Sequence, residues 1–280
     1  MYKLIALDVD GTLLNPQGLI TPRVKAAVRA VTDAGGIITL ATGRRHRPAR
    51  AIALELGIKV PLILYSGTLI YDTAQEKALL HRPLDPAFVA AALAFLSEAG
   101  VSPAILQSPL HGERIYIGHG EATDPYLHDY ANRPDRTDLI ERRSHDQLLA
   151  IVDPLVVLGV GPGHIENRLL SRLAEKGELD SNLYSYHLKT SALPDLYGFD
   201  LLPTAHNKGF ALAWLANHYG FELSETLAIG DSRNDLDMLE TAGLGLAMSN
   251  ATPEVKARAD MVIGSNAEDG VAEALERFVL

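Results

Sequence analysis

Short apolar runs alternate with segments of helical spacing along this chain. Lys3-Leu4-Ile5-Ala6-Leu7 leads straight into Asp8-Val9-Asp10-Gly11-Thr12, which predicts a buried strand ending in a sharp turn. Thr21-Pro22 then starts a helix as cap and first helical residue. Val24, Ala27, Val28 and Val31 recur on one face, and Gly35-Gly36 closes it. Ile37–Ala41 reads as a second buried strand, ending at Thr42-Gly43-Arg44. Ala49–Leu56 is a short helix stopped by Gly57, and Val60–Tyr65 a third strand running into Ser66-Gly67. Strand and helix in this alternation predict an α/β fold with a doubly wound parallel sheet.

The texture changes near Arg82-Pro83. Asp85-Pro86 begins an alanine-rich helix to Ala99, ended by Gly100, and strand-like pieces follow at Ala104–Gln107 and Arg114–Gly118. A polar stretch from His119 to Asp146 precedes a strand at Leu155–Val160 and a helix at Glu166–Lys176. Tyr184–Leu188 then alternates as a half-exposed strand does. Asp124-Pro125 and Arg133-Pro134 read as turns, and Gly159-Val160-Gly161-Pro162-Gly163-His164 as a turn before the next helix. The last of these fails as a dinucleotide loop, since His164 replaces the third glycine and Pro162 lacks an amide hydrogen. The pattern predicts an α+β domain at 83–202, inserted into a core made of 1–82 and 203–280.

Doubly wound texture returns at Asn207, which can cap a helix from Lys208 to His218 with Phe210, Leu212, Ala213 and Leu215 apolar. Thr226–Ile229 is a buried strand ending at Gly230-Asp231. A helix from Asn234 to Thr241 follows, then Leu244–Met248, a helix after Pro253, a strand at Met261–Ile263 and a last helix from Ala267.

A formal net charge of −10 argues against sequence-blind binding of nucleic acid, and means an anionic substrate needs a local positive cluster or a bound cation. The absence of cysteine excludes disulfides, thiolate nucleophiles and cysteine-ligated zinc. The first apolar stretch ends at Asp8, unlike a signal peptide, and no run approaches the ~20 residues of a membrane span. A cytoplasmic protein with no membrane partner is expected.

Four loops carry the candidate chemistry: Asp8-Val9-Asp10-Gly11-Thr12, Thr42-Gly43-Arg44, Lys208 on a first helical turn, and Gly230-Asp231-Ser232-Arg233-Asn234-Asp235. Each alone has an ordinary explanation as a turn, a solvated lysine or an acid at a helix start. Together they differ: carboxylates at two strand ends of one sheet repel unless a cation lies among them. Oxygen ligands without cysteine point to a hard ion, Mg²⁺. The hydroxyl, glycine amides, guanidinium and ammonium suit phosphate oxygens. The histidines at 111, 119, 128, 145, 164 and 187 show no ligand spacing.

Asp8-Val9-Asp10-Gly11-Thr12-Leu13-Leu14, Ala41-Thr42-Gly43-Arg44, Asn207-Lys208-Gly209 and Gly230–Asp235 resemble the four ordered motifs of the haloacid dehalogenase (HAD) superfamily. The insert between the second and third motifs, with the ending Ala247–Ala251, Ala259-Asp260 and Glu268–Val271, is similar to the Cof-like sugar-phosphatase branch with an α/β cap. The resemblance implies a HAD-like, Rossmann-like core with an inserted cap and a Mg²⁺-dependent phosphatase acting through an aspartyl-phosphate. Asp8 would be the nucleophile and Asp10 the acid and then base. Thr42, Gly43, Arg44, Lys208 and Asn234 would hold the phosphoryl group. Asp8, the Asp10 carbonyl, Asp231 and Asp235 would hold the metal. Asp8 and Asp10 would then split, one toward metal and phosphorus, the other toward the leaving group. Ser66-Gly67 stands where this branch commonly has Asn-Gly, so no substrate contact is carried over to that loop; Ser232 and Ser249 occupy places often held by glycine.

A small phosphorylated metabolite is the expected partner, with the protein a monomer or homodimer. The alternatives are a phosphomutase of the same architecture, a non-catalytic phospho-accepting module, and a metal-binding glycosyltransferase. The second leaves Asp10 and the insert unexplained, and the third leaves Lys208 and Thr42-Gly43-Arg44 unexplained.

Overall fold

The computed structural model describes residues 2–118, 124–176, 179–188 and 192–280. They fall into two compact units, Met1–His81 with Ala205–Leu280, and Arg82–Thr204. The first unit opens with β1 (Leu4–Leu7), α1 (Pro22–Asp33), β2 (Ile37–Leu40), α2 (His46–Leu56) and β3 (Leu62–Leu64), followed by a hairpin of β4 (Leu69–Asp72) and β5 (Lys77–His81). Thr21 caps α1 by accepting from the Val24 amide at 3.2 Å, and Pro22 takes the first helical position, where no amide hydrogen is needed. Helix α2 starts at His46, earlier than the expected Ala49.

The second unit contains α3 (Pro86–Glu98), β6 (Ser102–Gln107), β7 (Ile115–Ile117), α4 (Pro125–Ala131), β8 (Ile140–Arg142), α5 (His145–Leu149), β9 (Pro154–Pro162), α6 (Glu166–Lys176), β10 (Ser181–His187) and β11 (Leu196–Pro203). The chain then returns to the first unit with α7 (Lys208–His218), β12 (Thr226–Gly230), α8 (Leu236–Thr241), β13 (Leu244–Met248), α9 (Pro253–Arg258), β14 (Met261–Ile263) and α10 (Gly270–Phe278).

The core sheet has the order β14-β13-β12-β1-β2, and every pair in it is parallel. β1 is buried throughout, as expected for an apolar strand covered on both faces. Leu4 and Ala6 of β1 and Ala228 of β12 join Leu212 and Leu215 of α7 and Leu236 and Leu239 of α8 in one apolar cluster. In-register pairing of Leu7 with Ile229 brings the carboxyl ends of β1 and β12 side by side. Ligands of open α/β sheets bind beyond such ends. A parallel bridge between Ala41 and Ile63 carries β2 on to β3.

The six-stranded sheet of the second unit runs β10-β11-β9-β6-β7-β8, antiparallel except for β7 with β8. Two readings of the sequence change here, and one strand appears that the pattern did not mark. Asp124-Pro125 opens α4, with the Asp124 carboxylate accepting from the amides of Tyr126 and Leu127 at 2.9 and 3.2 Å. The glycine-rich Gly159–His164 is mostly strand: β9 runs to Pro162, and Leu96 and Val101 occupy the space a Gly159 Cβ would need. β11, without a marked apolar alternation, pairs with both β10 and β9. The expected last helix begins at Gly270, not Ala267, and His119 lies outside the described residues.

Asp200 on β11 is buried and accepts from the Tyr186 hydroxyl at 3.1 Å. Burial pushes its carboxyl up to about 7, and the Tyr186 hydrogen bond only partly opposes this. The folded protein therefore holds a proton here that the unfolded chain has lost, between the ordinary carboxylate range and about 7. The contribution of Asp200 to stability falls as pH rises through that window and levels off above it. Thermal unfolding at about pH 5 and about pH 8 should show a smaller loss of Tm for Asp200→Asn than for the unsubstituted protein. Equal losses would contradict the assignment.

Candidate active site

Strand geometry stops at Leu7, so Asp8 and Asp10 do not share a direction. The Asp8 side chain is 6% exposed and that of Asp10 62%. Gly11 turns the chain at φ 84°, and a Cβ there would lie 2.2 Å from Asp231 Oδ2. Only glycine satisfies both demands. Asp10 reaches outward to Arg44, whose Nε and Nη2 each donate to one of its oxygens at 2.7 Å. This bidentate fork is the geometry that guanidinium and carboxylate favour.

Lys208 is the first residue of α7. Asn207 caps the helix, accepting from the Phe210 amide at 2.8 Å. The buried face is Lys208, Ala211, Leu212, Leu215 and Ala216, while Phe210, expected inside, is exposed. This rotation turns Lys208 inward. Its ammonium is fully buried and donates to Asp8 Oδ1 at 2.7 Å and Asp235 Oδ1 at 2.6 Å. The other Asp235 oxygen accepts from the amides of Asp231 and Ser232 at 3.0 and 2.9 Å. Gly230 permits the fold-back, because a Cβ there would come within 2.5 Å of Asp235.

Asp8, Asp231 and Asp235 each present a carboxylate oxygen within 4.8 Å of the others. Asp8 Oδ2 is buried and has no hydrogen-bond partner among the described residues. Asp231 accepts from the Thr12 hydroxyl at 3.3 Å. Asn250 Nδ2 lies 3.5 Å from Asp231 Oδ2 and donates to the Gly11 carbonyl at 2.8 Å. Thr12 and Asn250 carry no signal as site residues beyond their place in the motifs. The Asp10 carboxylate stands outside the acidic group.

Burial, and after it the charge of Asp235, pushes Asp231 up to about 7 and Asp8 well above the carboxylate range. Burial alone would favour a neutral amine at Lys208, but Asp235 and Asp8 outweigh it and hold the ammonium charged. One ammonium against three carboxylates leaves a deficit of positive charge. An all-oxygen donor set with a buried, unpartnered carboxylate oxygen fits a hard divalent cation such as Mg²⁺.

Thr42 is buried, its hydroxyl accepting from the Arg44 amide at 3.1 Å. Asn234 accepts from the Ser232 hydroxyl at 2.7 Å, and its Nδ2 lies 3.7 Å from the position of a Gly43 Cβ. Gly43 and Asn234 thus meet, with Thr42 the chain neighbour of Gly43, whereas Arg44 is engaged with Asp10.

Residues 5–275 match the family described as haloacid dehalogenase-like hydrolase. The chain belongs to this family. Similar relatives are 5-amino-6-(5-phospho-D-ribitylamino)uracil phosphatase YwtE of Bacillus subtilis and pyridoxal phosphate phosphatase YbhA of Escherichia coli. The first is 31% identical over 296 residues, covering 99% of this chain and 98% of the relative. The second is 28% identical over 280 residues, with 97% and 96% covered. Among solved structures, a haloacid dehalogenase-like hydrolase from B. subtilis matches with a TM-score of 0.77 at 28% identity over 99% of each chain. This HAD chain is therefore an enzyme, its core is the α/β fold expected of the superfamily, and the relatives named here are phosphatases.

Lys208→Met keeps the length of the side chain and removes the ammonium from between Asp8 and Asp235. Breaking a buried ion pair in this way should cost about 3–5 kcal/mol in chemical denaturation. The loss should shrink at about pH 5, where protons can replace the missing charge. A pH-independent loss would contradict the electrostatic role.

Proposed function

We propose that this HAD protein is a Mg²⁺-dependent phosphatase that hydrolyses small phosphomonoesters, such as sugar phosphates, through an aspartyl-phosphate on Asp8. The observation that carries the reading is the state of Asp8: a buried carboxylate with one oxygen on Lys208 and the other without a partner among the described residues. Relatives named for a phosphoribityl compound and for pyridoxal phosphate support a small phosphorylated metabolite as substrate. The net charge of −10 speaks against nucleic acid. No described helix is long and apolar enough to cross a membrane, and we read the enzyme as cytoplasmic. We assign the core to catalysis and the inserted unit, 83–202 in the sequence reading, to substrate choice.

Asp8 would attack phosphorus, and the P–O bond to the leaving group would break as Asp10 donates its proton to the ester oxygen. Asp10, now a carboxylate, would take a proton from water. That water would attack the aspartyl-phosphate, releasing phosphate and restoring Asp8. Lys208 would orient Asp8 and stabilise charge on the phosphoryl oxygens, with Thr42, the Gly43 amide and Asn234 as further donors. Arg44 holds both Asp10 oxygens, so protonation of the leaving group requires that fork to open. Arg44 then becomes available to the phosphoryl group. Mg²⁺, held by Asp8, Asp231, Asp235 and the Asp10 carbonyl, would supply charge neutralisation for the carboxylates and phosphate.

Asp8→Asn should reduce phosphate release from p-nitrophenyl phosphate with Mg²⁺ to background, whereas undiminished turnover would overturn the mechanism. A phosphomutase would instead return phosphate to the sugar, so free phosphate measured during turnover of a sugar phosphate separates the two activities.

A further inference from the structure

The loop after β3 contains a feature that neither the fold nor the roles above use. Tyr65, Ser66 and Gly67 are consecutive residues at positive φ, 49°, 54° and 99°. Ser66 sits fully in the left-handed region at φ 54°, ψ 31°. Two adjacent non-glycine residues in that region are uncommon, and such strain persists only where surrounding structure enforces it. The enforcement is visible on both sides. The Ser66 amide donates to the Thr42 carbonyl at 3.0 Å and the Tyr65 amide to the Arg44 carbonyl at 3.2 Å. Gly67 presses on the start of α7 so closely that a Cβ would lie 2.1 Å from the Asn207 carbonyl oxygen. Ser66 is thus locked between the Thr42 loop and the residue preceding Lys208.

The Ser66 side chain is 1% exposed, and its hydroxyl has no hydrogen-bond partner among the described residues. A buried hydroxyl without a partner is costly and calls for an explanation. Ser66 Oγ lies 3.2 Å from the position of a Gly43 Cβ, the same point that Asn234 Nδ2 approaches to 3.7 Å. The absent Cβ of Gly43 therefore leaves a small space flanked by a hydroxyl and a carboxamide, next to Thr42. Alanine there would fill it.

We propose that Ser66 is a phosphate-binding residue, its hydroxyl donating to an oxygen of the phosphoryl group held at Thr42-Gly43. This rests on the phosphatase reading, and it assigns Ser66 to the part every substrate shares and not to the leaving group. The strained loop fixes the donor in place before substrate arrives, which lowers the ordering cost of binding.

Ser66→Ala and Ser66→Gly both remove the hydroxyl but act oppositely on the backbone, since glycine relieves the left-handed strain that alanine keeps. Affinity for inorganic phosphate in the presence of Mg²⁺, measured by calorimetry, should fall about tenfold or more in both variants, the loss of a hydrogen bond to a charged group. kcat/KM should fall by a similar factor for chemically different phosphomonoesters. Thermal unfolding should place Ser66→Gly above Ser66→Ala. Unchanged phosphate affinity in the variants would overturn the assignment. So would a loss confined to Ser66→Ala or one that varies with the leaving group. Failure of the phosphatase reading looks different: the unsubstituted protein releases no phosphate from any ester. Its phosphate affinity, compared with that of the variants, still decides the role of Ser66, and failure of the unsubstituted protein to bind phosphate would overturn that role too.

Discussion

A buried ammonium between two carboxylates is the constraint on which the core unit depends. Lys208 is fully buried and lies within hydrogen-bonding distance of Asp8 and Asp235. Buried charge is tolerated only when paired and hydrogen-bonded, and each of these groups comes from a different segment. Asp8 requires β1 to end at Leu7. Lys208 requires α7 to be capped at Asn207 and to present its first turn inward. Asp235 requires a glycine at 230, so that its side chain can fold back beneath the end of β12. The parallel pairing of β1 with β12 then sets the separation of the acids.

The same arrangement explains why the site is suited to ligands that carry both signs of charge. Three close carboxylates hold more negative charge than one ammonium offsets, and burial, with the charge of Asp235 after it, makes Asp8 and Asp231 retain protons more strongly than exposed acids do. A hard cation would offset that excess. On the proposed reading, an anion would then find donors at Gly43 and Asn234, with Thr42 next in the chain. Asp10 points to Arg44 and solvent, outside the group of three carboxylates. Two acids one residue apart thus occupy different environments, the condition that the proposed division into nucleophile and proton donor requires.

Much of this could be read from residues alone, for identifiable reasons. β1, β2 and β12 are short apolar runs that lead into Asp8, Thr42-Gly43 and Asp231, and such strands announce themselves when both faces are buried. Thr21, Asn207 and Asp85 mark helix starts because capping is local. What escaped depends on distant contacts. Phe210 is more apolar than Lys208, yet pairing with Asp8 and Asp235 puts the lysine inside and leaves the phenylalanine out. Asp124 is the exception, a local cap of α4 that reads as a turn residue in the sequence. The glycines of β9 mimic a phosphate loop but make room for Leu96 and Val101. The Arg44–Asp10 fork spans 34 positions and has no local signal.

The most direct test of the buried Lys208–Asp8 pair as a phosphoryl-transfer centre is to find where the phosphoryl group goes. Acid quenching during turnover of a labelled phosphomonoester, followed by borohydride reduction and peptide mass spectrometry, should convert residue 8 to homoserine. The amount should follow the amount of bound label. Label absent from the protein, or a reduced residue at a position other than 8, would contradict the assignment of Asp8 as nucleophile.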